Sequence, residues 1–263
     1  LLKALLSALA AALCSAVPLA NAQQPARGAP AAAAGSQWAL GVGVFNTQSA
    51  YKGMERQTRA WPLIRFENEY VKVAGLGLEV KLANLELGSS NRVKFGLVGR
   101  LDMAGYEASD APILAGMAKR RSGFWVGARA EWDNGLAPIS AEWTADASGH
   151  SKGQRFSLGL EKSFRLGRQV MLAPYLRANW LDAKYVDYYY GVRAAEVRAG
   201  RVAYAGQGGV NVDAGLRTLY LFDRHHSLLL DVAVTGLANE IKASPLVDRS
   251  TANRVLMGYS YSF

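Results

Sequence analysis

Among the 263 residues there is a single cysteine, Cys14, and it lies in a stretch expected to be cleaved off. No disulfide framework and no cysteine-based metal site is therefore expected in the mature chain. After residue 36 there is no run of about 18 apolar residues, the length that a membrane-crossing helix requires. Nor is there a convincing amphipathic helix of more than two or three turns. Histidine is scarce, at three residues. Basic residues outnumber acidic ones, 30 to 21, yet they are scattered singly. Nothing resembles the basic cluster or basic helix of a nucleic-acid footprint, so no nucleic-acid partner is expected.

The N-terminal residues supply a compartment. Lys3 precedes an apolar run from Ala4 to Leu13, and Ala20, Asn21 and Ala22 form a small-residue cleavage site. Residues 1–22 are read as a secretory signal peptide, with Ala20 and Ala22 setting the cut. Lipidation at Cys14 is not expected, because a lipoprotein signal needs a small residue immediately before the cysteine and Leu13 stands there. With Lys3 gone, 29 basic residues face 21 acidic ones, a formal charge of about +8 that suits lipopolysaccharide phosphate or an acidic solute. Residues 23–36, rich in Pro, Ala and Gly and without a face to bury, read as a flexible periplasmic lead.

From Gln37 onward the hydrophobic period is two. Val93, Phe95, Leu97, Leu101 and Met103 share one parity, while Arg92, Lys94, Arg100 and Asp102 share the other. The same split recurs at 124–132, 154–161, 170–180 and 210–220. Alternation alone does not say which face is inside, since a soluble sandwich or barrel buries the apolar side. The export signal, strands of about ten residues and the final decapeptide favour the inverted arrangement. In that decapeptide Val255, Met257, Tyr259, Tyr261 and Phe263 alternate with Arg254, Leu256, Gly258, Ser260 and Ser262. The pattern resembles the terminal strand that the assembly machinery of bacterial outer-membrane barrels recognises.

Twelve strands are expected, at about 37–47, 59–67, 69–75, 77–87, 91–103, 122–133, 139–147, 153–165, 169–182, 209–221, 226–237 and 252–263. Long connections then alternate with short ones, as extracellular loops do with periplasmic turns. The brief link at Gly75–Gly77 is the exception, and 69–87 is the least regular register. Trp38, Trp132, Tyr220, Tyr261 and Phe263 fall at one interface and Phe124, Phe156 and Trp180 at the other, as two aromatic girdles should. The expected fold is an all-β transmembrane antiparallel barrel over residues 37–263, in the outer membrane of a Gram-negative bacterium, in contact with lipid and lipopolysaccharide.

Certain segments match a known family: Tyr51 with Gly53, Trp61-Pro62-Leu63, the run Gly105 to Pro112, Leu114 to Met117, Tyr185 to Val192 (YVDYYYGV) and Ser244 to Val247. From about Trp38 to Phe263 the sequence resembles the MipA/OmpV family, the MltA-interacting proteins. The resemblance implies an outer-membrane barrel that is a non-enzymatic scaffold, joining a lytic transglycosylase to a penicillin-binding protein in murein growth. Porin-like channels and surface adhesins are the alternative roles it implies. It carries over no catalytic motif, so no catalytic residue, cofactor or metal ligand is expected.

The lumen is expected to hold Arg65, Lys94, Arg100, Asp102, Arg129, Glu131, Arg155, Glu161, Arg177, Asp213 and Arg217, with Glu67, Glu79, Lys81, Glu142 and Asp231 among them. Such carboxylates could serve acid/base chemistry, but an ion-pair lattice filling a narrow barrel is the simpler reading. His150, beside Ser148 and Ser151, is read as a solvated loop residue, and His225 and His226 as a polar turn. The tyrosines at 185 and 188–190 are expected to pack at the barrel rim, with sugar stacking as the alternative. Residues 111–121 are expected to form a short helix at the barrel mouth.

Overall fold

The computed structural model describes residues 36–88 and 91–263. The expected signal peptide with Ala20 and Ala22, Cys14, and the lead up to residue 35 lie outside the described residues. The strands are β1 (Gln37–Gln48), β2 (Gln57–Glu67), β3 (Val71–Ala74), β4 (Gly77–Gly88), β5 (Asn91–Leu101), β6 (Phe124–Asp133), β7 (Ile139–Asp146), β8 (Gln154–Glu161), β9 (Phe164–Leu166), β10 (Val170–Leu181), β11 (Gly209–Leu221), β12 (His226–Gly236) and β13 (Thr251–Ser262). Each pairs antiparallel with its sequence neighbours, except that β8 and β9 both pair with β10, and β13 returns to β1, with Leu40 opposite Tyr261 and Val44 opposite Met257. The sheet is a closed barrel.

The barrel has twelve strands, as the sequence suggests, because β8 and β9 are two parts of one. Both face β10, Glu161 opposite Tyr175 and Phe164 opposite Leu172, in unbroken register. The break falls opposite Pro174, whose carbonyl accepts from Lys162 N–H at 3.2 Å but which has no N–H to return.

Alternation puts the apolar parity outward. Leu97, Leu158, Leu216 and Met257 are among the exposed large side chains, and on a barrel crossing a bilayer that exposed band is the lipid face. Met103 departs from the expected pattern: β5 ends at Leu101, and Met103 turns into a cavity under the outer loops. β4 explains why its register was hard to read. Leu78, Val80 and Leu82 are exposed on one parity and Leu85 and Leu87 on the other. The pairing with β5 shifts between Lys81 and Asn84, a bulge that adds one residue and restores the lipid face after it.

The β3–β4 hairpin is short. β3 pairs with β2 only from Arg65 to Glu67, and Gly75, at φ +56°, opens a two-residue turn that brings the chain back at Gly77. β2 nevertheless continues to Gln57, paired with β1 throughout. Its residues 57–63 have no ladder partner on the other side among the described residues.

The outer loops are ordered differently from expectation. Residues 183–190 form a helix, α1 (Ala183–Tyr190), whose N-cap Asp182 accepts from Tyr185 N–H at 2.8 Å. A second short helix, α2 (Asn239–Lys242), lies in the last outer loop. The expected helix at 111–121 is only a 3-10 turn at Pro112–Leu114, after which the chain pairs back on itself through Tyr106 and Arg120.

Candidate functional site

The inward parity carries the charges. Lys94 meets Glu131 at 3.2 Å, and Arg129 meets Glu131 at 2.8 Å and Glu142 at 3.7 Å. Arg100 reaches past Arg129 to hold Glu142 at 2.8 Å. Arg155 meets Asp102 at 3.1 Å, and its guanidinium lies 3.7 Å from the ring centre of the fully buried Trp125. Arg217 bridges Glu161 and Asp231, each at 3.2 Å, and Arg254 holds the other oxygen of Asp231 at 3.2 Å. Tyr175 donates to Asp231 at 3.1 Å. Asp213 accepts from Asn179 at 2.8 Å and Thr235 at 2.6 Å, while Arg65 and Lys81 meet Glu67 at 3.6 and 2.8 Å. Lys94 stands directly opposite Glu131 and Arg217 opposite Asp231 on adjacent strands, and most of the other pairs link the same or near-neighbour strands, so these charges neutralise each other along the inner wall.

Among the expected lumen cations Arg177 is the exception. Among the described residues no carboxylate lies within ion-pair distance of it, and it packs beside the Tyr175 ring at 5.8 Å. With Arg129 and Arg217 it lines a cavity of about 680 Å³ that also takes in Lys72 and Lys162 and the carboxylates of Glu131, Asp133 and Glu161. Two further cavities share its walls: one of about 380 Å³ through Lys72, Arg129 and Glu131, and one of about 180 Å³ through Arg100, Arg129 and Arg177. Shared lining residues make these one polar interior.

Over this interior sits a cap built from four outer loops. Tyr51, Met54, Tyr106, Ala111, Leu114, Met117, Val192 and Leu246 form one apolar cluster, and Ala50, Leu181, Val186, Leu237, Ala238 and Ile241 a second beside it. Tyr190 packs against both. The loops are also stitched by hydrogen bonds: Tyr51 Oη donates to Tyr189 O at 2.9 Å, Ser244 Oγ to Tyr190 O at 2.6 Å, and Tyr189 Oη to Arg121 O at 3.1 Å. Burial raises the Tyr190 hydroxyl pKa to about 12. The rim tyrosines thus serve as packing core, with Tyr188 accepting from Arg121 N–H at 2.8 Å.

An ion pair is sealed inside the cap. Arg120 and Glu196, 2% and 6% exposed, meet through both carboxylate oxygens at 3.0 and 2.9 Å. Burial raises the Glu196 pKa, but the Arg120 hydrogen bond and the N–H groups of Arg193 and Ala118 outweigh it, leaving the carboxyl below its ordinary range. Arg201, also 2% exposed, donates to the carbonyls of Glu196 and Ala115. None of these three was singled out from sequence, because each sits in a loop where neither period nor spacing marks it. The segments that suggested a family did hold the signal: Tyr51, Gly105–Pro112, Leu114–Met117, Tyr185–Val192 and Ser244–Val247 all converge here.

The histidines are engaged with backbone or tyrosine. His150 Nδ1 lies 2.9 Å from Ser122 O, while Ser151 Oγ donates to Asp146 at 2.8 Å. His225 Nδ1 lies 2.8 Å from Ser262 O, and His226 contacts the Tyr259 hydroxyl. No group of three or more His, Cys, Asp or Glu side chains gathers as metal donors among the described residues. Val255, Met257, Tyr259, Tyr261 and Phe263 lie on the outward parity of β13, and Phe263 N–H donates to Trp38 O at 3.0 Å, in the barrel seam.

A closed antiparallel barrel with an apolar outer band, an ionic interior and tight turns at one end is an outer-membrane β-barrel protein. Residues 40–263 match the family model for MltA-interacting protein MipA, and the chain belongs to that family. It is similar to the outer membrane protein YiaT of Escherichia coli K12, 27% identical over 89% of this chain and 94% of that one. It is also similar to the outer membrane protein OmpV of Vibrio cholerae, 25% identical over 86% of each. Among solved structures it is similar to the NanC porin, at 10% identity and TM-score 0.45, over 84% of this chain and 98% of that one.

Proposed function

We propose that this outer-membrane barrel is a capped, narrow conduit for small anionic solutes. The observation that supports it is the joined polar interior, about 680 Å³ in its largest part, in which Arg177 has no carboxylate partner among the described residues. Paired charges fill a wall; an unpaired guanidinium facing water attracts an anion and orients it. The cap makes the outer end the gate, since its packed loops stand between that interior and the outside. Planar-bilayer recording tests the reading. The expected result is small, anion-preferring conductance steps that grow when the Arg120–Glu196 pair is broken. A preparation of folded barrel that never conducts, with the cap intact or loosened, refutes it.

A second reading draws on the name of the family model, an MltA-interacting protein: a scaffold that engages a lytic transglycosylase, and through it a penicillin-binding protein, at the periplasmic face. The described turns there are short, such as 134–138 and 222–225, and give little area for a standard interface of about 800 Å² per partner. Affinity capture of murein enzymes, with His225 and His226 replaced in a control, separates the two. Capture by the native chain without conductance favours the scaffold.

A further inference from the structure

From the shortness of the β3–β4 hairpin we infer a lateral portal in the outer half of the barrel wall, which admits a single-chain amphiphile with an anionic head into a cavity beneath the cap. Between β2 and β5 the wall rises only as far as the turn at Gly75 and Leu76, whose last ladder contact is Leu101 N–H to Leu76 O at 2.9 Å. Above it β2 runs on alone through residues 57–63.

An open strand edge in hydrocarbon leaves backbone groups unsatisfied, so such an edge persists only where water or a polar ligand group reaches it. Since Gly75 N–H donates to Ile64 O, the alternate residues Pro62, Ala60 and Thr58 turn their backbone groups toward the gap. Pro62 has no N–H, which removes one orphan donor. The remaining edge needs a hydrated partner.

Behind the gap lies a cavity of about 450 Å³ whose wall is mostly apolar, unlike those of the lumen. Phe45, Leu76, Leu101, Met103, Tyr185 and Tyr190 contribute to it, so its lining includes the floor and both flanks of the gap as well as the cap. Two charged side chains also line it, Asp102 and Arg254, and each is neutralised by a lumen partner, Arg155 at 3.1 Å and Asp231 at 3.2 Å. Arg59 lies on the β2 flank and lines the same cavity; its guanidinium donates to Gln57 Oε1 at 3.0 Å, and among the described residues no carboxylate pairs with it. A mostly apolar chamber whose Asp102 and Arg254 are already paired, a gap that opens toward acyl chains and an unpaired guanidinium at the gap together select a chain with one anionic head.

The test is equilibrium binding of tritiated dodecanoate to the protein in phosphatidylcholine nanodiscs against empty discs, with heat-modifiable migration in gels certifying the folded barrel. Saturable binding at one site is expected. Arg59→Gln should weaken dodecanoate roughly tenfold, the loss of one charge-assisted contact, and leave dodecanol unchanged. Met103→Trp, which fills the chamber from a loop outside the sheet, should abolish binding of both. Absence of saturable binding, or equal binding by folded Met103→Trp, overturns the inference. Native mass spectrometry showing a retained phospholipid, or a dimer joined at β2, in place of the amphiphile overturns it as well.

Discussion

Replacing Glu196 by alanine removes more than one contact. The carboxylate accepts from Arg120 through both oxygens, from Ala118 N–H at 3.0 Å and from Arg193 N–H at 3.1 Å. The substitution leaves a buried guanidinium beside the Tyr106 and Tyr188 rings with only the carbonyls of Tyr188 and Ala118 as hydrogen-bond acceptors. Breaking a buried pair from one side costs about 3–5 kcal/mol, and at about 1.4 kcal/mol per tenfold the cap should open roughly a hundred- to a few thousand-fold more often. Hydrogen exchange read by mass spectrometry is the assay, on peptides covering 105–121 and 186–204. Amides such as Tyr106 and Arg120, which bond each other's carbonyls across the loop, should lose protection while those of β10 and β11 keep theirs. Acid should mimic the substitution. The Glu196 pKa is lowered by folding, so its contribution is complete above the ordinary carboxylate pKa and fades as pH falls through the lowered value. Protection of the cap that changes less than tenfold in the variant, or that is lost equally in the barrel strands, refutes the account of a separately stabilised cap.

Arg177→Glu places a second sign in the interior, and the reversal potential in a salt gradient should shift toward cation preference; an unchanged potential removes Arg177 from the conduction path. Gly41→Ala should impair barrel closure, because a Cβ there would lie 2.0 Å from Tyr259 O in the β1–β13 seam and backbone has to move; a fully heat-modifiable barrel at native yield contradicts this. Deleting Ala83 should be tolerated, since without the bulge Leu82, Leu85 and Leu87 fall on one parity with Lys81, Asn84 and Glu86 on the other. Deleting Gly96 instead throws half of β5 out of phase, placing a charged side chain against lipid at about 2–4 kcal/mol each, and should abolish the folded band. Equal outcomes for the two deletions refute the bulge reading.

The barrel was legible because its constraint is local and repeated. A side chain at each odd or even position of β5, β6, β8, β10 and β11 meets either lipid or the lumen, so the period of two is enforced residue by residue, and the girdle residues Trp132 and Trp180 mark where each strand ends. The ion-pair partners were not legible. That Arg217 would join Glu161, one strand beyond β10, to Asp231, directly opposite on β12, depends on the register between strands, which no single strand encodes. The cap was the least legible part. Glu196, Arg120 and Arg201 lie in loops whose order comes from mutual burial, so their spacing along the chain carries no period, and α1 is too short for one.

The division of apolar residues between barrel and cap bears on how the molecule is built. In the barrel the exposed large apolar side chains face outward and the inward parity carries ion pairs, and among the described residues both buried apolar clusters are drawn mainly from the outer loops, not from the sheet. Leu114, Val186, Ile241 and Leu246, all 0% exposed, are instead gathered above it. The cap therefore owes its order to its own two apolar clusters and its sealed ion pair, and it is tied to the barrel mainly where the outer strand ends meet it, at Gln48, Leu181 and Leu237. Two nearly independent stabilities follow: insertion rests on the outward band, and the state of the mouth rests on the cap. Substitutions in the segments from Gly105 to Pro112 and from Tyr185 to Val192 should therefore alter what passes or binds while leaving the barrel in the membrane.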